Sequence, residues 1–193
     1  MKTLTLVLLV LLTANACGQP AKVKDKGGAV RIKDKSKPVR AALEAQYAKI
    51  AQAYYDDDPE PVRTLRTGNF SVQLPDGSRQ SKEQTEGYLK ASFEQVQRTL
   101  HVSFDIDTIE VHGDTAAAEI HQQWRREQNK AGQLRTVETE AHQREWWLNT
   151  SQGWRLFFID NVRPGVWKVD GKRIDPSKPY DPEAAPYDPD EGQ

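Results

Sequence analysis

Four kinds of side chain in this sequence could do chemistry. They are a carboxyl at Glu145 beside Trp146 and Trp147, a phenol at Tyr47, a lone thiol at Cys17, and the imidazoles of His101, His112, His121 and His142. A carboxyl enclosed by aromatic rings is desolvated; its pKa rises and it can act as general acid, general base or hydrogen-bond donor. The bland counterpart is an acid already hydrogen-bonded by Tyr47 or a Gln. Cys17 is the only cysteine, so it closes no internal disulfide. Paired histidines do not make a specific metal site without a third ligand, and no spacing here supplies one. Phosphate loops, nucleophile motifs and Cys/His clusters are absent from the sequence, which therefore implies no cofactor and no metal.

The apolar pattern marks out the elements that must position these groups. Val39, Leu43, Tyr47, Ile50 and Tyr54 recur at steps of three and four, one stripe of an amphipathic helix. Pro38 suits its first turn, and Asp56-Asp57-Asp58-Pro59 ends it. Asp58-Pro59 can cap a short second helix with Val62 and Leu65, stopped by Gly68. Phe70, Val72 and Leu74 alternate as a strand closed by Pro75-Asp76-Gly77. Ser81 with Gln84 makes a capping box for a third helix, which turns Leu89, Phe93, Val96 and Leu100 inward. The period then becomes two, and strands are predicted near 102–111, 115–127, 135–149 and 154–162. A separate small hairpin about Asp170-Gly171 is expected at the end. This order is α+β, a curved antiparallel sheet wrapped around three N-terminal helices.

Folding the long hairpin about Ala131-Gly132 pairs residues whose numbers sum to 263. Arg125 then faces Glu138 and Glu119 faces Arg144, two opposite-charge pairs on one face. The other face carries Ala116, Ala118, Ile120, Gln122 and Trp124 against Trp147, Glu145, Gln143, Ala141 and Thr139. A slip of one residue would exchange the faces, so the agreement specifies the register. Glu145 then points at the helices, and Tyr54, Gln122, Trp124, Gln143 and Trp147 line a small-ligand pocket. His121 and His142 face each other on the outer, charged face. Trp146 points opposite to Trp147 and emerges on that outer face beside Phe157 and Ile159. Such an apolar patch calls for a cover: a second copy of the chain, or the C-terminal hairpin around Trp167.

The element order, together with the segment Glu145-Trp146-Trp147-Leu148-Asn149-Thr150-Ser151-Gln152-Gly153-Trp154-Arg155-Leu156, resembles the nuclear transport factor 2-like (SnoaL-like) superfamily. Ketosteroid isomerases and polyketide cyclases belong to it, and the resemblance covers roughly residues 38–162. It implies a cone-shaped sheet with a pocket, and dimerisation through the sheet face. In the isomerases an acid nine residues before the last strand serves an oxyanion hole; Glu145 stands nine before Trp154. Tyr47 matches the other oxyanion donor. The isomerases' proton-shuttling Asp precedes a Pro at the end of the first strand, where this chain has Leu74 before Pro75. Without that base the expectation is a non-catalytic binding or interaction module for a small apolar ligand. The reading from a different class is an isomerase, cyclase or dehydratase using Glu145 and Tyr47.

Cys17 bears on location. Met1-Lys2, the apolar run from Leu4 to Leu12 and Ala14-Asn15-Ala16 have the pattern of an export signal, and the run is about half the ~20 residues a membrane span needs. If Ala14-Asn15-Ala16-Cys17 is a lipobox, the thiol is acylated and the chain is a lipoprotein anchored in the cell envelope. If an ordinary signal peptidase cuts after Ala16, the product is secreted or periplasmic, soluble, with a free thiol; Ala14 stands where a lipobox usually has Leu. The expected organisation is a signal at 1–16, an acylated Cys with a basic stalk at 17–37, the domain at 38–162, a hairpin extension at 163–174 and an acidic tail at 175–193 that repeats Pro-Tyr-Asp-Pro. A net charge of −1 gives no bulk argument for nucleic acid.

Overall fold

The computed structural model describes residues 36–130, 132–175, 177–178 and 180–188. The export signal, Cys17 and the basic stalk up to residue 35 lie outside the described residues.

Helix α1 (Ser36–Tyr55) buries Leu43, Tyr47 and Ile50, the stripe expected of it, together with Ala53. It stops because Asp57 takes a left-handed conformation (φ 54°) that a short polar side chain tolerates, while Asp58 N–H donates back to Ala53 O. The Asp58 carboxylate then accepts from Glu60 N–H at 3.0 Å and starts α2 (Glu60–Leu65), which buries Val62 and Leu65. Strand β1 (Arg66–Gln73) begins directly after α2, two residues before the Gly68 that was expected to end the helix. A turn with Gly77 at φ 83° returns the chain as β2 (Arg79–Ser81), a short strand the alternation did not announce. Helix α3 (Lys82–Gln95) carries the predicted capping box between Ser81 and Gln84.

Val96 and Leu100 correct the expectation that they continue α3: both lie in β3 (Val96–His112). They keep the helical step from Phe93, but Val96 is β-branched and finds a cross-strand partner in Gln128. Three long strands follow: β4 (Thr115–Lys130), β5 (Gln133–Thr150) and β6 (Gly153–Val169), with β7 (Lys172–Arg173) closing on β6. The first strand of the expected C-terminal hairpin is thus the end of β6 itself.

The curved, open sheet has the order β2-β1-β6-β5-β4-β3, with β7 on β6. All neighbouring pairs are antiparallel except β1 with β6, which run parallel and make the sheet mixed. The core lies between its inner face and the helices, built on Leu43, Tyr47, Phe70, Ile120 and Trp147.

The β4/β5 register is the one inferred, without a single shift: Arg125 faces Glu138, Glu119 faces Arg144 and Gln143 faces Ile120. Strand β6 is different. Its register against β5 slips at three places, between Trp146 and Trp147, between His142 and Arg144, and between Thr139 and Ala141. Each slip is a bulge that reverses which side chains point inward. Ile159 therefore packs in the core rather than beside Trp146, whose cross-strand neighbour is Phe158. At the last bulge Pro164 faces Ala141 and Trp167, three residues on, faces Thr139, so both belong to the inner face. Gly165 lies between them, against Glu140; a Cβ there would stand 3.0 Å from the Glu140 carbonyl oxygen. Trp167 thus does not cover Trp146.

Candidate functional site

At the centre of the inner face, α1 delivers Tyr47 onto three side chains of β5, namely Gln143, Glu145 and Trp147. Tyr47 Oη–H donates to Glu145 Oε2 at 2.7 Å, and Gln143 Nε2 donates to Glu145 Oε1 at 2.6 Å. Trp147 Nε1–H donates to Tyr47 Oη at 3.2 Å. On the other side Gln122 Nε2 donates to Gln143 Oε1 at 3.1 Å, and Trp124 Nε1–H donates to Gln122 Oε1 at 3.4 Å.

The direction of this chain is forced. An indole N–H can only donate. Trp124 makes Gln122 present its oxygen outward and its nitrogen to Gln143, and Gln143 in turn gives its nitrogen to Glu145. Trp147 likewise occupies the Tyr47 oxygen and leaves that hydroxyl to donate. Both arms end on Glu145, each of whose oxygens accepts, as those of a carboxylate do.

Glu145 is only 3% exposed and Trp147 fully buried. Burial raises the Glu145 carboxyl above its usual range, against the donations of Tyr47 and Gln143 and the positive Arg66 nearby. Burial also pushes the Tyr47 phenol well up, and the adjoining carboxylate pushes it further. The Phe104 ring stacks on Tyr47 at 5.4 Å between centroids and Trp147 meets it edge-on at 5.5 Å, so this centre is packed. The two residues expected to act together are together, but their hydrogen-bonding capacity is directed at each other. Leu74, at the place of the isomerase base, offers only its backbone: its N–H donates to Ser78 O and its carbonyl accepts from Gly77 N–H. Asp76 accepts from the Ser78 N–H and hydroxyl inside the turn, which holds its carboxyl below the usual range.

The pocket residues read from the sequence divide. Trp147 and Gln143 are buried in the packed centre. Gln122 and Trp124 border a hollow of about 150 Å³ further along the inner face, walled also by Ala141, Val162, Pro164 and Trp167. Tyr54 stands behind it, stacked on Phe93 at 4.7 Å and edge-on to Trp124 at 4.2 Å. Its phenol is pushed up to about 12 by burial, with Arg66 and Arg126 acting in the opposite sense.

Two residues of this region escaped the sequence reading. Arg126 follows Gln122 and Trp124 at even spacing on β4, so the same alternation places it on the inner face. Trp167 could not be placed, because two bulges lie between it and the buried Ile159.

On the outer face Arg144 pairs with Glu119 at 2.7 Å, and Arg163 reaches the same carboxylate at 3.6 Å. The His121 and His142 rings stack at 4.4 Å. His121 lies 3.8 Å from Glu140 and His142 lies 3.7 Å from Asp107. Among the described residues no group of three or more His, Cys, Asp or Glu could hold a metal ion. The half-buried Trp146 donates its N–H to Asp160 at 3.2 Å.

No family model matches the chain, and no curated protein resembles it in sequence. Solved structures do resemble it in shape. A conserved protein from Planctomyces limnophilus is 17% identical, with a TM-score of 0.55 over 66% of this chain and 98% of that one. A nuclear transport factor 2-like superfamily protein from Salmonella enterica serovar Typhimurium is 18% identical, with a TM-score of 0.53 over 67% of this chain and 92% of that one. A type 2 hexachlorocyclohexane dehydrochlorinase is 8% identical, with a TM-score of 0.55 over 68% of this chain and 88% of that one. The chain carries a domain of the nuclear transport factor 2-like fold. That fold holds enzymes and proteins of unknown function alike, so activity must be argued from the site.

Proposed function

We propose that this chain is an exported, lipid-anchored, non-catalytic binding module that takes a small apolar ligand on the inner face of its sheet. The observation that carries the reading is the directed hydrogen-bond chain: both oxygens of Glu145 accept from protein groups, while the space lies beside Trp124 and Trp167. A hollow with apolar and aromatic walls and few polar groups is the common form of a small-molecule site. Native mass spectrometry of the gently purified protein tests it. A small molecule that stays with the wild type and is lost from Trp167→Ala supports the module; its retention in that variant overturns the site.

A second reading from a different class keeps Glu145 and Tyr47 as a catalytic pair in an isomerase, cyclase or dehydratase. It is favoured by the 2.7 Å contact between them and by the raised carboxyl. Turnover abolished by Glu145→Gln with the hollow still binding would establish it.

For location we propose acylation of Cys17, supported by its place after Ala14-Asn15-Ala16. Cys17→Ser should then lose metabolic palmitate label and leave the membrane fraction; unchanged fractionation refutes the anchor. A second copy docked on the outer face around Trp146 and Phe158 belongs to the same proposal, and the native mass decides it.

A further inference from the structure

The guanidinium of Arg126 sits at one side of the inner hollow, 5.8 Å from the centre of the Trp124 ring. A cation against an indole face is attracted to it, which holds the head group at that wall. Its Nε is buried and has no hydrogen-bond partner. The nearby acids are engaged elsewhere: Glu127 pairs with Arg98 at 3.1 Å, and Glu140, which also borders the hollow, turns its carboxylate to His121. Asp57 shares a narrow slit with Arg126 but forms no ion pair with it. Arg126 therefore has no acidic partner among the described residues. Lys130, four residues further along the same face, adds a second positive charge; burial lowers its pKa, and Arg126 lowers it further.

A buried donor without a partner is costly, and a buried cation without an anion more so. Burial depresses the Arg126 guanidinium too, with only the Tyr54 phenol acting the other way. Arg66 resembles it in having Nε and Nη1 buried without partners. However, Arg66 lies over the Phe70 ring at 4.6 Å, and the negative Glu86 and Glu145 act on it. Among the described residues, Arg126 is the arginine with a buried, partnerless nitrogen and no ion pair that also borders a hollow.

We propose that this hollow is a site for a small carboxylic acid, its carboxylate on Arg126 and its apolar body between Trp124, Pro164 and Trp167. A planar guanidinium matches a carboxylate in charge and in hydrogen-bond geometry. The volume of about 150 Å³ is that of an engineered cavity which takes one benzene ring, so the body is a single ring or a short branched acyl group. Gln122 is already committed to Gln143 and Trp124, and the Arg126 guanidinium is the cation bordering the hollow, so it selects the anion.

This inference rests on the binding-module reading and narrows its ligand to an apolar body that carries one carboxylate. Calorimetric titration of the full chain with phenylacetate and with its neutral isostere phenylacetamide tests both levels. The acid should bind at least tenfold more tightly than the amide. Arg126→Gln should erase the difference by weakening the acid alone, Arg126→Lys should restore part of it, and rising salt should weaken the acid only. Equal affinity of acid and amide in the wild type, or an unchanged preference in Arg126→Gln, overturns the carboxylate assignment and leaves the binding module standing. No binding of either compound, or binding that Trp167→Ala leaves untouched, overturns the binding site itself. The comparison of acid with amide uses the wild-type chain, so it holds even if a variant fails to fold.

Discussion

At the centre of the inner face a chain of donors closes on the two oxygens of Glu145; further along the same strands, a guanidinium without an acidic partner borders open space. Both regions are made of aromatic rings, amides and one charged group. In the first, every polar atom of the chain meets another and the rings fill the remaining volume. In the second the rings leave a hollow, and among the described residues no acid pairs with the charge. An ionisable group that already has its partners is closed to a ligand, and one that lacks them is available to it.

The largest effect that would test this contrast is on stability. Trp147→Ala, in the packed centre, should cost about 3–5 kcal/mol, enough to unfold much of the population of a marginal domain. Trp167→Ala, at the hollow, should cost clearly less and instead remove ligand binding. Urea unfolding of both variants measures the ratio; equal losses would mean the hollow is simply core.

Next, Tyr47→Phe removes one hydroxyl and strands two groups, the Glu145 Oε2 and the Trp147 N–H. A loss of about 2 kcal/mol or more is expected by the same assay, with affinity at the hollow unchanged within about twofold. Gly165→Ala follows. Its Cβ would meet the Glu140 carbonyl oxygen at 3.0 Å, and relieving that contact should cost about 1–3 kcal/mol and disturb the bulge that aims Trp167 inward. Weakened ligand binding at nearly normal stability would be the sharper result.

The pH dependence of Glu145 has a definite sign. Its folded-state pKa is raised, so between the unfolded value of about 4.3 and the higher folded value the native state holds the extra proton. Wild-type stability therefore falls as pH rises through that window. Glu145→Gln should lack this fall, so the wild type minus variant difference in Tm should shrink from acid to neutral pH. A difference that grows instead would contradict the buried carboxyl. The smallest effect concerns Arg126→Gln, which removes an uncompensated cation. Folding stability should change by less than about 1 kcal/mol, in the direction of gain, opposite in sign to Tyr47→Phe.

Much of the packed centre was legible in the sequence. The α1 stripe put Tyr47 inward, the uninterrupted alternation of β4 and β5 fixed their register, and the same register put Glu145, Gln143 and Gln122 on one face. These are local periods, which side chains obey because a slip would expose a whole apolar set. The hollow was half legible. Gln122 and Trp124 were placed by alternation, while Trp167 could not be placed because β6 does not keep its period. Val96 and Leu100 failed for a related reason: a helical step and a strand partner competed, and the partner, distant in sequence, won.

The sequence by itself therefore determined the order of the three helices and the longer strands, the capping box at Ser81, the inner face of the long hairpin and the kinds of groups lying on it. These follow from propensity and period, which need only near neighbours. Three things were decided by tertiary structure: the parallel pairing of β1 with β6, the bulges that turn Pro164 and Trp167 inward, and which charged groups found partners. A bulge depends on the strand it lies against. Satisfaction of a buried charge depends on every element packed around it. That is why Glu145, the sharpest candidate by type and spacing, proved to be fully hydrogen-bonded, and Arg126, which no motif marked, was left open.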